Sequence, residues 1–226
     1  MGAIRMRRYL PFIIVALVGL GTLATGTLLY RAKRAPVLTI SSDQSAGGKD
    51  NTSVHIRGPV DAPVTLEEFG DYQCPPCGLL AGPIKQLETD YGKTLRVIFR
   101  HFPLITHSHA REAACAAEAA GLQGKFWEMH DLLYREQPEW SKATDAQPLF
   151  NAYAGILGLK VDRFKQDMVS DKVKERVTED QKHGAAIGVQ NTPTIFLNNK
   201  ALDPASLNPA NLRAVVDAAV KAKPSS

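Results

Sequence analysis

Two cysteines separated by two prolines, Cys74-Pro75-Pro76-Cys77, have the clearest capacity for chemistry in this chain. A dithiol that exchanges disulfides needs one sulfur that is a thiolate near neutral pH and a second that can close a ring with it. The residues before the pair, Val64-Thr65-Leu66-Glu67-Glu68-Phe69, read as a strand ended by the turn Gly70-Asp71. The residues after it, to Tyr91, read as a helix with Leu79, Leu80, Ile84 and Leu87 on its apolar side and a kink at Gly82-Pro83. Between strand and helix, Cys74 would sit at the positive end of the helix dipole, with Cys77 about one turn further along the same side. Cys74 is therefore expected to attack and Cys77 to resolve. Three cysteines are too few for a disulfide scaffold. A C-x-x-C can be half of a zinc site, but no second pair and no spaced Cys/His partner follows it. A catalytic dithiol or a small structural disulfide remains.

The elements that must position this pair can be read outward from it. Leu95-Arg96-Val97-Ile98-Phe99-Arg100-His101-Phe102 is a second strand, ended by Pro103, which completes a strand–helix–strand unit of a parallel sheet. Helical patterns run from about His109 through Tyr134 and again from about Ala146 to Gly188, around a loop at Pro138–Asp145. That stretch is too long for a simple crossover and reads as a helical subdomain inserted into an α/β core at about residues 105–188. The core resumes with Thr194-Ile195-Phe196-Leu197, passes Asn198-Asn199 and closes with a helix from about Asn208 to Ala222. The folded domain is expected over residues 52–226, opened by the alternating Ser53-Val54-His55-Ile56.

Gly188-Val189-Gln190-Asn191-Thr192-Pro193-Thr194 places a proline just ahead of an apolar strand. This Thr-Pro-Thr step resembles the cis-proline loop of the thioredoxin superfamily, which in those proteins lies against the C-x-x-C. Glu68-Phe69-Gly70-Asp71-Tyr72-Gln73-Cys74-Pro75-Pro76-Cys77 and Arg100-His101-Phe102-Pro103-Leu104 resemble the DsbA-like branch, in particular its membrane-anchored members. The likeness covers roughly residues 55–222. It implies a thioredoxin fold with an inserted helical subdomain and a cis Pro193. Thr192 would offer backbone hydrogen bonds to a bound peptide, as an added strand does. It also implies a buried acid at Glu68, which would take or relay the proton of the resolving Cys77; strand alternation places Leu66 and Glu68 on one face and Glu67 and Phe69 on the other.

The function so implied is extracytoplasmic thiol–disulfide oxidation of exported, unfolded cysteine-containing proteins, with reoxidation by a quinone-linked membrane thiol oxidase. No cofactor or metal is called for. A reductase or isomerase of the same compartment, or a binding module whose C-x-x-C is only a staple, are the alternatives. Neither Pro75 nor Pro76 carries an N–H, so two donors are missing where a helix start would solvate the thiolate. That predicts a Cys74 pKa of roughly 5–7. It also predicts a potential between about −230 and −130 mV, weaker as an oxidant than the strongest family members.

The uncharged stretch Tyr9–Tyr30 would span about 33 Å as a helix, enough for a bilayer. Residues 1–34 are accordingly expected to be a retained membrane anchor, with a cleaved signal peptide as the alternative, and 35–51 a flexible tether. Residues 1–34 carry six basic and no acidic residues, so 21 basic and 23 acidic residues remain and the soluble part is close to neutral. It lacks the basic stripe that nucleic-acid binding requires. Cys115, in an alanine-rich helix, reads as a small buried hydrophobe, with regulatory pairing or dimerisation as the alternative. The six histidines are scattered and read as structural, Phe126, Trp127 and Leu133 as core, and Lys172–Lys182 as a solvated helix face.

Overall fold

The computed structural model describes residues 54–222. The expected anchor and tether lie outside the described residues, and among the described residues no helix is long and apolar enough to cross a membrane. Five strands form one sheet: β1 (His55–Arg57), β2 (Val64–Gly70), β3 (Leu95–His101), β4 (Thr194–Leu197) and β5 (Lys200–Ala201). Their order is β1-β3-β2-β4-β5, with β2 parallel to β3 and every other neighbouring pair antiparallel. The side chains of the central β2 point alternately to the two faces, and from Glu68 onward both faces are buried. Val64 and Leu66 enter an apolar layer with Leu95, Val97, Ile195 and Leu197, while Phe69 packs on the opposite face with Phe102 and Val189. Burying each of these large side chains contributes roughly 1.5–3 kcal/mol, which fixes the register that carries the site.

Helix α1 (Pro75–Tyr91) covers the first face and buries Cys77, Leu80, Ile84 and Leu87. Leu79, expected on that apolar side, points outward and is 75% exposed. Pro83 lies inside this single helix. Between β3 and β4 come α2 (Ala110–Gly121), α3 (Phe126–Arg135), the short α4 (Gln137–Trp140), α5 (Gln147–Ile156), α6 (Val161–Met168) and α7 (Asp171–Ala186), and α8 (Pro209–Ala222) closes the described chain. The two long helical stretches of the sequence are thus cut into shorter helices. Gly158 and Gly188 mark two of the ends with positive φ of 72° and 90°. The amides that follow them bond back across the last turn, Leu159 to Ala154 and Val189 to Gly184, both at 2.9 Å. Asn198 and Asn199, at φ 50° and 64°, form the tight hairpin to β5, a strand the sequence did not announce.

The core of the inserted helices is aromatic and alanine-rich. Trp140 is fully buried and donates its indole N–H to the Leu133 carbonyl at 2.7 Å. Phe126 and Leu133 are buried as expected, whereas Trp127 is half-buried and carries the Arg57 guanidinium 4.3 Å from its ring centre. Helix α7 corrects the reading of Lys172–Lys182 as simply solvated. Its inward side buries Arg176 and Asp180, and Asp180 pairs with both Arg176 and the Arg100 of β3. Arg100 in turn bonds Glu67 at 2.5 Å, the β2 glutamate that faces α7.

Candidate functional site

The site is built where β2 stops. Asp71, fully enclosed, takes the amide of Gln73 on one oxygen at 2.7 Å. Its other oxygen takes the amide of Leu104 at 2.9 Å and faces His107 Nδ1 at 2.7 Å. That carboxylate ties the end of β2 to the loop after β3 and turns the chain so that Cys74 becomes the residue before the first turn of α1. The Cys74 amide bonds the Asp71 carbonyl at 3.1 Å, and the Cys74 carbonyl accepts the Gly78 amide at 3.2 Å. Pro75 and Pro76 occupy the first helical positions, as their fixed φ and missing N–H allow.

The inserted helices hold the same turn from the other side. Gln137 of α4 donates its amide to the carbonyls of Tyr72, at 2.6 Å, and Cys74, at 3.0 Å. Gln73 reaches the Ser141 carbonyl at 3.1 Å and accepts from the His109 amide at 2.6 Å. A Cβ at position 78 would meet Gln137 Oε1 at 2.6 Å, so a larger residue there would displace the amide that caps these carbonyls. Neither glutamine was singled out in the sequence. An uncharged amide has no signature until the backbone carbonyls it caps are known.

The Thr192–Pro193 bond is cis, as the Thr-Pro-Thr step implied, and it brings the loop before β4 against the cysteines. The Cys74 thiol donates to the Thr192 carbonyl at 3.3 Å. Both sulfurs are free thiols, and both are more enclosed than the sequence suggested: Cys74 is 4% exposed and Cys77 fully buried. The cis loop and the helix start together leave Cys74 only an edge to solvent. The hydrogen bond from the Cys77 side chain, helped by Thr192 and the Cys77 amide, lowers the Cys74 pKa to about 6 against the opposing pull of burial and the Asp71 charge. The buried Thr192 hydroxyl lies outside hydrogen-bond geometry, yet near enough to favour the thiolate. Cys77 moves the other way, well above the usual thiol range, through burial, its bond to Cys74 and the nearby Glu68. One sulfur is poised as a nucleophile and the other as a proton holder.

Glu68 lies on the face of β2 that carries Val64 and Leu66, is 3% exposed, and has its Oε1 buried without a partner. Burial, with Cys74 and Glu88 adding to it, pushes its pKa up to about 8. It is therefore a neutral acid at neutral pH. Cys115 is buried in α2, and burial raises its thiol to about 11, which leaves it an inert packing residue in this fold.

One cluster was not foreseen. His55, His101 and Glu118 converge from β1, β3 and α2, with both histidine Nε2 atoms on Glu118 Oε1 at 2.8 and 2.9 Å. Burial would raise the Glu118 pKa, but the bonds to the two histidines outweigh it and hold the carboxyl ionised. The Arg176 guanidinium stands 3.9 Å from the same oxygen, so the counter-charge a metal would bring is already supplied. The geometry is that of a buried hydrogen-bonded network joining the sheet to the insertion.

Comparison with known proteins agrees with this geometry. A family model described as thioredoxin matches residues 49–218. The chain resembles the crystal structure of oxidised BdbD from Bacillus subtilis with a TM-score of 0.65 at 24% identity, covering 74% of this chain and 92% of that one. A thioredoxin-like oxidoreductase from Silicibacter pomeroyi gives 0.63 at 25% identity, over 77% and 95%. The thiol-disulfide exchange protein α-DsbA2 from Wolbachia pipientis gives 0.63 at 22%, over 75% and 88%. In sequence, the chain is 42% identical over 147 residues to the Na(+)/H(+) antiporter NhaA 1 of Salinispora arenicola, covering 65% of this chain and 22% of that protein. The chain thus spans less than a quarter of the length of the curated relatives it matches.

Proposed function

The chain belongs to the thioredoxin family, and from that premise we propose that it is a thiol–disulfide oxidoreductase that introduces disulfides into exported, cysteine-containing proteins through Cys74 and Cys77. One observation carries the reading: the low-pKa Cys74 thiol, at a helix start, faces the backbone carbonyl of Thr192 across a cis-proline loop. An extended substrate segment laid along that loop gains backbone hydrogen bonds and presents its sulfur to Cys74. In the oxidising direction, a substrate thiolate attacks Cys74 Sγ and the Cys74–Cys77 bond breaks. Cys77 leaves with the electron pair and takes a proton, for which the neutral Glu68 is the nearby donor. A second substrate thiolate then attacks the substrate sulfur of the mixed disulfide and expels Cys74 as the thiolate. Two substrate thiols are oxidised and the enzyme pair is reduced.

Disulfide formation belongs to an oxidising compartment, and the uncharged stretch at residues 9–30 supplies a membrane-spanning length. We therefore place the domain outside a membrane, anchored by residues 1–34, with a quinone-linked membrane thiol oxidase restoring the disulfide. The test is the equilibrium reduction potential together with turnover of a reduced, unfolded substrate. A potential between about −230 and −130 mV with net oxidation supports an oxidase, whereas a value below that of thioredoxin, about −270 mV, makes it a reductase.

A further inference from the structure

The reading above leaves a proton problem. Cys77 and Glu68 are enclosed, and the carboxyl that gives Cys77 its proton must itself be recharged from water. Two buried polar atoms near this pair have no partner: Glu68 Oε1 and the hydroxyl of Tyr134, on α3. A native fold rarely leaves such groups idle, because a buried polar group without a partner has lost the hydrogen bonds that water gave it.

Their placement is specific. Glu68 and Gly70 are alternate residues of β2 and face the same side of the sheet, about 7 Å apart along the strand. A Cβ on Gly70 would lie 2.9 Å from the Tyr134 hydroxyl and 2.5 Å from the Phe99 ring. The absent side chain at position 70 is therefore what admits the phenol to the layer that holds Glu68. On its other side Tyr134 lines an open cavity of about 290 Å³ together with Gly78, Lys85, Asp131 and Arg135. Gly78 immediately follows Cys77 on α1. The Tyr134 side chain thus lies between the cavity and the layer that holds Glu68, beside the resolving cysteine; its hydroxyl is itself buried and bonded to neither, and a hydroxyl is the group that can accept on one side while donating on the other.

We infer that Tyr134 is the proton relay of the exchange reaction, passing protons between the cavity at Lys85, Asp131 and Arg135 and the carboxyl of Glu68. It acts through Glu68 rather than on the sulfurs. The electrostatics agree: Cys77 and Glu68 both bear on the Tyr134 hydroxyl, whose own ionisation burial suppresses, so it moves protons without becoming a phenolate. Tyr72 and His130 pack against its ring at 4.8 and 5.0 Å between centroids. They pair with each other, Tyr72 hydroxyl to His130 Nδ1 at 3.1 Å, and burial lowers the His130 pKa to about 3, so that pair stays neutral and offers no competing charge. Asp71, whose charge also bears on Tyr134, is occupied by Gln73, Leu104 and His107.

The inference rests on the exchange activity proposed above, and the experiment separates the two. The oxidised protein is mixed with a single-thiol peptide in excess at pH 9, above the pKa of about 8 that burial gives Glu68, so that the carboxyl must draw a proton before it can protonate the leaving Cys77, and release of Cys77 is followed by rapid acid quench and mass spectrometry in H2O and in D2O. Tyr134→Phe keeps the ring and removes the hydroxyl. We expect it to slow release three- to tenfold and to change the solvent isotope effect, Glu68→Gln to slow it by a similar factor, and the double variant to be no slower than Glu68→Gln alone. Thermal melts of each variant check that the fold is kept. Wild-type rate and isotope effect in Tyr134→Phe, or multiplicative effects in the double variant, would overturn the relay. Absence of exchange in the wild-type protein would overturn the functional reading itself, and the relay with it.

Discussion

At the scale of single residues, two groups that feel each other's charge are shifted in opposite senses. Cys74 is lowered to about 6 and Glu68 raised to about 8, so at pH 7 the attacking sulfur is charged and the acid is not. Titrating thiolate absorbance in the reduced protein should give a single transition near pH 6 that is lost in Cys74→Ser. Pro76→His restores a backbone N–H at the helix start and adds a possible cation, and should move that transition down and the potential to less negative values. An unchanged transition would mean that Cys77 and Thr192 alone set the thiolate. For Glu68 the sign follows from linkage. Its folded pKa is raised above 4.5, so its contribution to stability is fully present below pH 4.5 and is lost as pH rises through 8. Gln carries no charge at either pH. Glu68→Gln should therefore be more stable than wild type at pH 8 by on the order of 4 kcal/mol, with the gap closing at pH 4.5, while turnover slows. Urea denaturation at the two pH values checks this. Glu67, bonded to Arg100 on the opposite face, should leave turnover unchanged when changed to Gln.

At the scale of elements, the inserted helices do more than extend the fold. Gln137 caps the Tyr72 and Cys74 carbonyls, so Gln137→Leu should cost about 1–3 kcal/mol and raise the Cys74 pKa by loosening the helix start. On the opposite sheet face, α7 approaches so closely at Gly184 that a Cβ there would meet Phe69 at 2.8 Å and Phe102 at 2.9 Å. Gly184→Ala should destabilise by roughly 1–3 kcal/mol with little effect on thiol reactivity, measured by denaturation and alkylation rate. The legibility of these elements in the sequence divides along physical lines. β2, β3 and β4 declared themselves by alternation and flanking turn residues, and the C-x-x-C and Thr-Pro-Thr steps are short local patterns. Hidden were the partners supplied by tertiary contact: Gln73 and Gln137 on backbone carbonyls, the His55–Glu118–His101 network, and Arg176 and Asp180 on a helix that looks uniformly polar. Leu79 was misplaced because adjacent leucines point about 100° apart around a helix, and periodicity alone did not choose between Leu79, which is exposed, and Leu80, which is buried.

At the scale of the whole molecule, the fold brings together segments more than a hundred residues apart, Cys74 with Thr192, and encloses the second sulfur completely. The third thiol, Cys115, is kept out of the chemistry by burial. A chain built this way should form covalent intermediates through one sulfur alone. The most direct test is to trap them: Cys77→Ser, incubated with an oxidised, cysteine-containing protein and then digested without reductant, leaves an attacking thiol with no resolver. The account predicts a mixed disulfide mapped by mass spectrometry to Cys74 and removed by reductant. An adduct mapped to Cys115, or no adduct at all, would contradict it.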